Sequence, residues 1–237
     1  SVKRPVCRAT GAIRSGAIGS CTSIVIFVLW FSMLWVSGLP VKYLWIFAGI
    51  ALFFLIVFLI LLFSGVKIPL IEDYQLQRIV NFLFPDPNAR HGNTYNVEQA
   101  LVSIGSGGLF GQGYNNSPQV QLRFLKVRHT DFIFSAMASE FGFVGTMIVI
   151  ALIVFVIIRC FRTAALASDT FGALIAYGFG VLLSFQMAVN IGVNLNVIPV
   201  TGLTLPFVSY GGSSMVSLAV GIGLVESVIL RHKPLEF

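Results

Sequence analysis

The chain has 237 residues, 57% of them hydrophobic and only 10% charged, with a net charge of +6 and a mean hydropathy of +0.91. Soluble domains carry roughly a quarter charged residues. These values exclude disordered, fibrous and disulfide-scaffold chains, and they exclude a soluble enzyme or an extracellular binding domain. The better ruler is the bilayer, where a spanning helix needs about 20 mainly apolar residues.

In chain order, residues 1–20 come first, a short basic segment with Lys3, Arg4, Arg8 and Arg14. No Asp, Glu, Lys or Arg then occurs from Cys21 to Val41, from Tyr43 to Val66, from Phe141 to Ile158, or from Thr170 to Val225. Five spans follow from this, at Cys21–Gly38, Lys42–Ser64, Phe132–Cys160, Thr170–Asn194 and Phe207–Leu230. The last uncharged stretch is too long for one helix, and Pro199, Gly202 and Pro206 divide it by a turn. None of the spans has the alternation of a barrel strand. The expected fold is all-α, a polytopic integral membrane protein of about five transmembrane helices. Its organisation is a divergent segment at 1–20, two helices over 21–64, a large outer loop over 65–130, and three helices with a short tail over 131–237.

Lys42, Arg159 with Arg162, and Arg231 with Lys233 fall in loops separated by even numbers of crossings, so all can lie in the cytoplasm. The segment Gly65–Thr130 then lies outside, as does the turn over Asn196–Pro206. The basic start would also lie outside, against the usual rule. Residues 1–20 are therefore expected not to be a natural beginning but the edge of a longer chain. Cys7, Cys21 and Cys160 lack metal or disulfide spacing, and His91, His129 and His232 are scattered.

The outer loop holds eleven of the chain's 24 charged residues, counted from Gly65 to Asp131. It reads as a long connection without clear secondary structure, anchored by Phe82, Phe84, Tyr95, Leu101, Ile104 and Leu109. Within it, GSGGLFGQG (Gly105–Gly113) lacks the G-K-[ST] ending of a phosphate loop. Its glycines are expected to bend the chain at the interface, with backbone N–H groups left to help hold a phosphate.

Asp131 opens the third span in RHTDFIF (Arg128–Phe134). A carboxylate at a membrane boundary is costly unless solvated, paired or used. Two roles stay open for it: an N-cap of its own helix, or a base in a partly apolar cavity, with Arg128 and the helix dipole opposing desolvation. Glu140, nine residues on, faces away from it on an ideal helix. A second cluster follows in FQMAVNIGVNLNVIPVTGLTLPFVSYGGSS (Phe185–Ser214). Gln186, Asn190 and Asn194 form one row at i,i+4, and Ser209, Tyr210, Gly211, Gly212, Ser213 and Ser214 begin the last helix. Either a polar cavity or tight helix packing through small and hydrogen-bonding residues accounts for them.

HTDFIF, IGSGGLFGQG, VNIG and PVTGLTLPFVSYGGSS resemble the signature segments of the SEDS family (RodA, FtsW and SpoVE), polytopic cell-wall glycosyltransferases of bacteria. The resemblance runs from about Thr22 to His232, in the expected order and spacing. It implies helices six to ten of a ten-helix fold, with Gly65–Thr130 as the large loop between the seventh and eighth. It implies a bacterial plasma (cell) membrane protein that polymerises lipid II into glycan strands, for cell shape and elongation or for division. Asp131 takes the place of the family's essential aspartate, implying a general base. Arg78, Arg128 and Arg123 are implied to face the lipid pyrophosphate, with His129 and Thr130 positioning. Gln186, Asn190, Ser209, Tyr210 and Ser213 are implied substrate contacts. The resemblance fixes no cofactor, and a divalent cation (Mg or Mn) with the pyrophosphate is an option. The implied partners are lipid II, the undecaprenyl-pyrophosphate-linked glycan, membrane lipid and a class B penicillin-binding protein (a transpeptidase), with no nucleic acid. A lipid II translocator and an inactive scaffold are the competing readings. The stretch AIGSCTSIV departs from the family's QPDLGT-like motif, Lys126-Val127-Arg128 departs from its usual Pro-Glu before the HTD segment, and Thr201 in place of Lys favours a RodA-like member.

Overall fold

The structure is a computed structural model that describes residues 9–38, 93–113 and 131–232, together with positions 42, 46, 49, 50, 53, 56 and 57. The described segments form α1 (Ala9–Val36), α2 (Asn93–Gly107), α3 (Ile133–Leu166), α4 (Thr170–Asn194) and α5 (Gly212–His232). Among the described residues the protein is all helix and turn. Three helices, Ile133–Leu166, Thr170–Asn194 and Gly212–Arg231, are long and apolar enough to cross a membrane, and Ser23–Val36 is a shorter apolar helix. Phe143, Ile148, Leu152, Phe155 and Ile158 on α3 and Val216, Val220 and Leu224 on α5 are exposed. So much apolar surface facing outward needs lipid rather than water around it. This is a membrane protein.

α3 packs most extensively on α4 and then on α2, while α1 reaches α4 and α5 touches both α3 and α4. One core lies among the spanning helices, where Ile153, Ile157 and Cys160 of α3 meet Ala176 and Leu183 of α4 and Leu218 and Val225 of α5. Lipid is as apolar as leucine, so close packing rather than escape from water holds these helices together. Small residues permit it. Gly221 on α5 lies under the Phe179 ring of α4, and Gly178 on α4 lies against the Met33 thioether of α1. A second core sits at the other end, where Val97 and Ala100 of α2 cover Phe132, Val189 and Val193.

Several boundaries differ from expectation. α1 starts at Ala9 rather than Cys21, because small residues such as Ala9, Ala12 and Ala17 continue the helix beyond its apolar part. The expected span at Lys42–Ser64 lies outside the described residues apart from isolated helical positions between 42 and 57. α4 spans Thr170–Asn194 as the charge gap implied. α5 begins at Gly212 rather than Phe207, since Phe207 takes a positive φ of 65° and the 205–209 segment closes into a turn. The outer segment contains α2, a regular helix where a structureless connection was expected. Its inward residues Val97, Ala100, Ser103 and Gly107 recur at helical spacing. Residues 93–113 pack at the Ile133 end of α3, away from Arg159 and Arg162, as the orientation requires.

α3 has 34 residues, which at about 1.5 Å each makes about 51 Å, well over a bilayer core of roughly 30 Å. It is broken at Gly142, whose φ is 70° and ψ −170°. A break there removes the bonds from Phe143 N to Ser139 O and from Val144 N to Glu140 O that an unbroken helix makes. The glycine-rich segment satisfies all four groups. Gln112 N donates to Ser139 O (3.1 Å) and Gly113 N to Glu140 O (3.1 Å), while Phe143 N donates to Gly108 O (2.9 Å) and Val144 N to Leu109 O (3.1 Å). Backbone meets backbone so closely that a Cβ on Gly111 would strike the Glu140 carbonyl, and one on Gly142 would strike Gly111. Gly111 also adopts a positive φ of 78°. Because Gly111 N donates to Gly107 O, the N–H groups of residues 111–113 are all spent on protein carbonyls. They are not left for a phosphate.

This crossing predicts a graded response to alanine. Gly108→Ala, with a φ of 55° but open space around it, should cost about 1–2 kcal/mol of conformational strain. Gly142→Ala adds a collision to a backbone conformation (φ 70°, ψ −170°) that is essentially open only to glycine, and should cost about 3 kcal/mol or more. Thermal unfolding of the two variants in detergent checks the order; equal melting temperatures would show that the crossing is not tight.

Candidate active site

The site is built where α3 begins. The N-cap position of α3 is Phe132 (φ −107°, ψ 26°), whose side chain has no acceptor to offer the first turn. The acceptor comes instead from α4. Ser135 N, three residues into the helix, donates to Asn194 Oδ1 (3.2 Å), and Ser135 Oγ donates to Phe132 O (2.9 Å). The amide nitrogen of the same side chain, Asn194 Nδ2, donates to the Asp131 carbonyl (2.9 Å) and to Asn190 O (2.8 Å). One helical turn earlier, Asn190 Nδ2 donates to Leu203 O (2.7 Å) and, at 3.3 Å, to the same Asp131 carbonyl. Both asparagines are buried, at 1% and 0% exposure. The two carboxamides tie α4 to the residue before α3 and to the turn between α4 and α5.

The end of α4 is fixed by its own chemistry. Asn196 takes a left-handed φ of 58°, which Asn tolerates better than most residues. Asn196 N donates to Val193 O (3.1 Å) and Val197 N to Gly192 O (2.9 Å), the paired bonds of a Schellman termination. The chain leaves α4 immediately after Asn194, which puts that side chain on the last turn beside the start of α3.

Asp131 is half-buried, and it precedes the N-cap of α3 rather than occupying it. Its carboxylate faces the α4–α5 turn at Gly202, where a built Cβ would lie 3.9 Å from Asp131 Oδ2. Gly202 itself is exposed and has a φ of 83°. The carboxylate therefore stands at a partly open edge, beside a residue without a side chain. The N-terminal end of α3 carries partial positive charge, which favours negative charge nearby.

The other expected site residues divide into three groups. Arg78, Arg123, Arg128, His129 and Thr130 lie outside the described residues. Asn190 joins Asp131, but through its backbone, with its amide nitrogen given to carbonyls instead of being presented to a substrate. Ser209 is buried and accepts a hydrogen bond from Leu205 N (2.8 Å), closing the turn before α5. Tyr210 is 83% exposed, Ser213 is exposed and Gln186 is half-buried; none belongs to the hydrogen-bond set around the Asp131 carbonyl. Sequence reading placed Asn194 in the same row as Asn190 without naming it a site residue, and it did not single out Ser135. The Asn190–Asn194 spacing was the available signal, since it places both carboxamides on one face. Among the described residues no group of three or more His, Cys, Asp or Glu side chains gathers to hold a metal.

The family of cell cycle proteins comprising FtsW, RodA and SpoVE matches residues 18–233. The chain belongs to this family. Among curated relatives, the peptidoglycan glycosyltransferase MrdB of Escherichia coli K12 is 39% identical over 215 residues, covering 91% of this chain and 56% of the relative. A probable peptidoglycan glycosyltransferase FtsW of Francisella salina is 36% identical, covering 90% and 50%. The chain thus spans about half the length of the curated relatives it matches. A chain of a solved peptidoglycan synthase complex is similar with a TM-score of 0.67 and 29% identity, covering 99% of this chain and 66% of that one. The fold shared with that chain agrees with the helical membrane fold read from charge gaps.

The asparagine pair predicts a contrast within the family signature. Asn190→Ala leaves the Leu203 and Asp131 carbonyls short of a buried donor and should cost about 1–3 kcal/mol. Tyr210→Phe, at an exposed position, should stay within about 0.5 kcal/mol. Melting temperatures of the two variants measure the difference, and equal shifts would contradict the buried bonding.

Proposed function

We propose that this chain forms the catalytic part of a peptidoglycan glycosyltransferase in the bacterial plasma membrane, crossing it several times. It adds lipid-linked disaccharide-peptide units (lipid II) to a growing glycan. One observation carries this reading: a carboxylate at the end of an apolar span, with its backbone clamped by two buried asparagines and its side chain facing an exposed glycine turn. A structural carboxylate needs no such open edge. The relatives' names, and the likeness to a chain of a peptidoglycan synthase complex, support the same activity.

In this reaction Asp131 is the general base. It takes the proton from the acceptor sugar hydroxyl as that oxygen attacks the donor's anomeric carbon. The new carbon–oxygen bond forms on the face opposite the lipid pyrophosphate, the old one breaks, and the pyrophosphate leaves with the electron pair. The proton passes from Asp131 to water. Negative charge builds on the leaving group, and Arg78, Arg123 and Arg128 are its proposed partners, with His129 and Thr130 proposed as positioning groups. A divalent cation such as Mg or Mn, if bound with the pyrophosphate, supplies charge neutralisation. Glycan strands need cross-linking, so a class B penicillin-binding protein (a transpeptidase) is the proposed partner. Thr201 favours a RodA-like role in elongation.

The test is Asp131→Asn in the complete gene product. Asparagine keeps the size and cannot accept the proton, so polymer made from purified lipid II, separated on gels, should fall about 10²–10⁴-fold, with unchanged melting. Polymerisation near the wild-type rate would remove Asp131 from the chemistry and favour a lipid II translocator.

A further inference from the structure

The start of α3 poses a problem that its own sequence does not solve. Phe132 stands at the N-cap without a side-chain acceptor, and the carbonyl of half-buried Asp131 faces the two buried asparagines, so losing its donor there is costly. One side chain answers both needs. Asn194 accepts from Ser135 N through Oδ1 and donates to Asp131 O through Nδ2, at 3.2 and 2.9 Å. The two contacts fall on either side of Phe132, so the side chain spans the place where chain becomes helix. Its remaining amide hydrogen goes to Asn190 O, and Asn190 Nδ2 goes to Leu203 O, one residue from Gly202. Asn190 Nδ2 also reaches the Asp131 carbonyl (3.3 Å), so the two asparagines together tie the start of α3 to the turn that faces the Asp131 carboxylate.

We infer that Asn194 is a positioning residue for Asp131, fixing the peptide before α3 so that the carboxylate is held over Gly202. The inference rests on the glycosyltransferase reading above, because it takes Asp131 as the base. Asn194 is buried, at 0% exposure, so it acts on the reaction only through Asp131. A carboxylate is anchored to its own backbone by a single methylene. A shift of its peptide therefore carries the base with it, and a displacement of about 1 Å costs on the order of 10²-fold in rate. Purely structural bonds at this place would instead affect only how much protein folds.

The experiment uses the complete gene product in lipid, with two substitutions, Asn194→Leu and the milder Asn194→Ser. Neither bridges Ser135 N and Asp131 O. The expected result is a fall in kcat of about 10–100-fold, with KM for lipid II changed less than about twofold in the folded fraction. The same substitutions are then placed in the Asp131→Asn background. A residue that works through Asp131 adds less than about twofold to the residual loss there, because residues acting as a unit are not additive. An equal fold-loss in both backgrounds, or activity falling only in proportion to folded protein, would overturn the inference. So would an inactive Asp131→Asn beside an active Asn194→Ser, and that outcome leaves the glycosyltransferase reading standing. Full activity in Asp131→Asn overturns the glycosyltransferase reading first, and this inference with it.

Discussion

Inside a bilayer no water stands ready to bond a free N–H or C=O, so every backbone group must find a protein partner. α3 fails this requirement in two places: at its start, where Phe132 cannot cap it, and at Gly142, where two helical bonds are lost. Much of the remaining described architecture supplies what α3 lacks. The glycine-rich segment after α2 provides the four partners at the break. The end of α4 provides the cap and the donors at the start. α2 covers the same end with Val97 and Ala100 against Phe132.

These two repairs explain why the site sits where it does. The break at Gly142 divides α3 into a following part of about 36 Å, long enough to span, and an initial part with Phe134, Ser135, Ala136, Met137, Ala138 and Ser139 all buried. That initial part is enclosed by α2 and α4 and is not left to face lipid. Asp131 stands at its outer end. The carboxylate is thus mounted on a short helical stub with a buried middle and both ends held from outside, which suits a group that must keep its place while a large lipid-linked substrate arrives.

Much of the fold was legible in the sequence because the signals were long. A charge gap gave α4 its start, and Pro199, Gly202 and Pro206 the turn beyond its end; the structure adds that Asn196 takes the left-handed conformation there. The inward face of α2 was written in Val97, Ala100 and Ser103 but lay inside a charged segment, where a loop was the simpler reading. The break in α3 was hidden, since Gly142 sits in a continuous apolar run and its partners lie about 30 residues upstream. Asp131 was legible as a carboxylate at an apolar boundary. What the asparagines do was not: Asn190 and Asn194 suit both a polar cavity and tight packing, and only the structure shows their amides turned onto carbonyls. The glycines of Gly105–Gly113 show the same limit, because the feature that suggests a phosphate cradle is also what backbone-to-backbone contact requires.

Hydrogen exchange at single amides, on the complete protein in lipid, tests the central claim most directly. If α3 is completed by other segments, the amides of Ser135, Phe143 and Val144 should exchange as slowly as those in the middle of the same helix, although none has a helical partner of its own. Gln112 and Gly113 should be protected with them, and Gly111→Ala should release Gln112, Gly113, Phe143 and Val144 together while leaving Ser135 slow. Rapid exchange of Phe143 and Val144 in the native protein, at the rate of an exposed loop, would contradict the account.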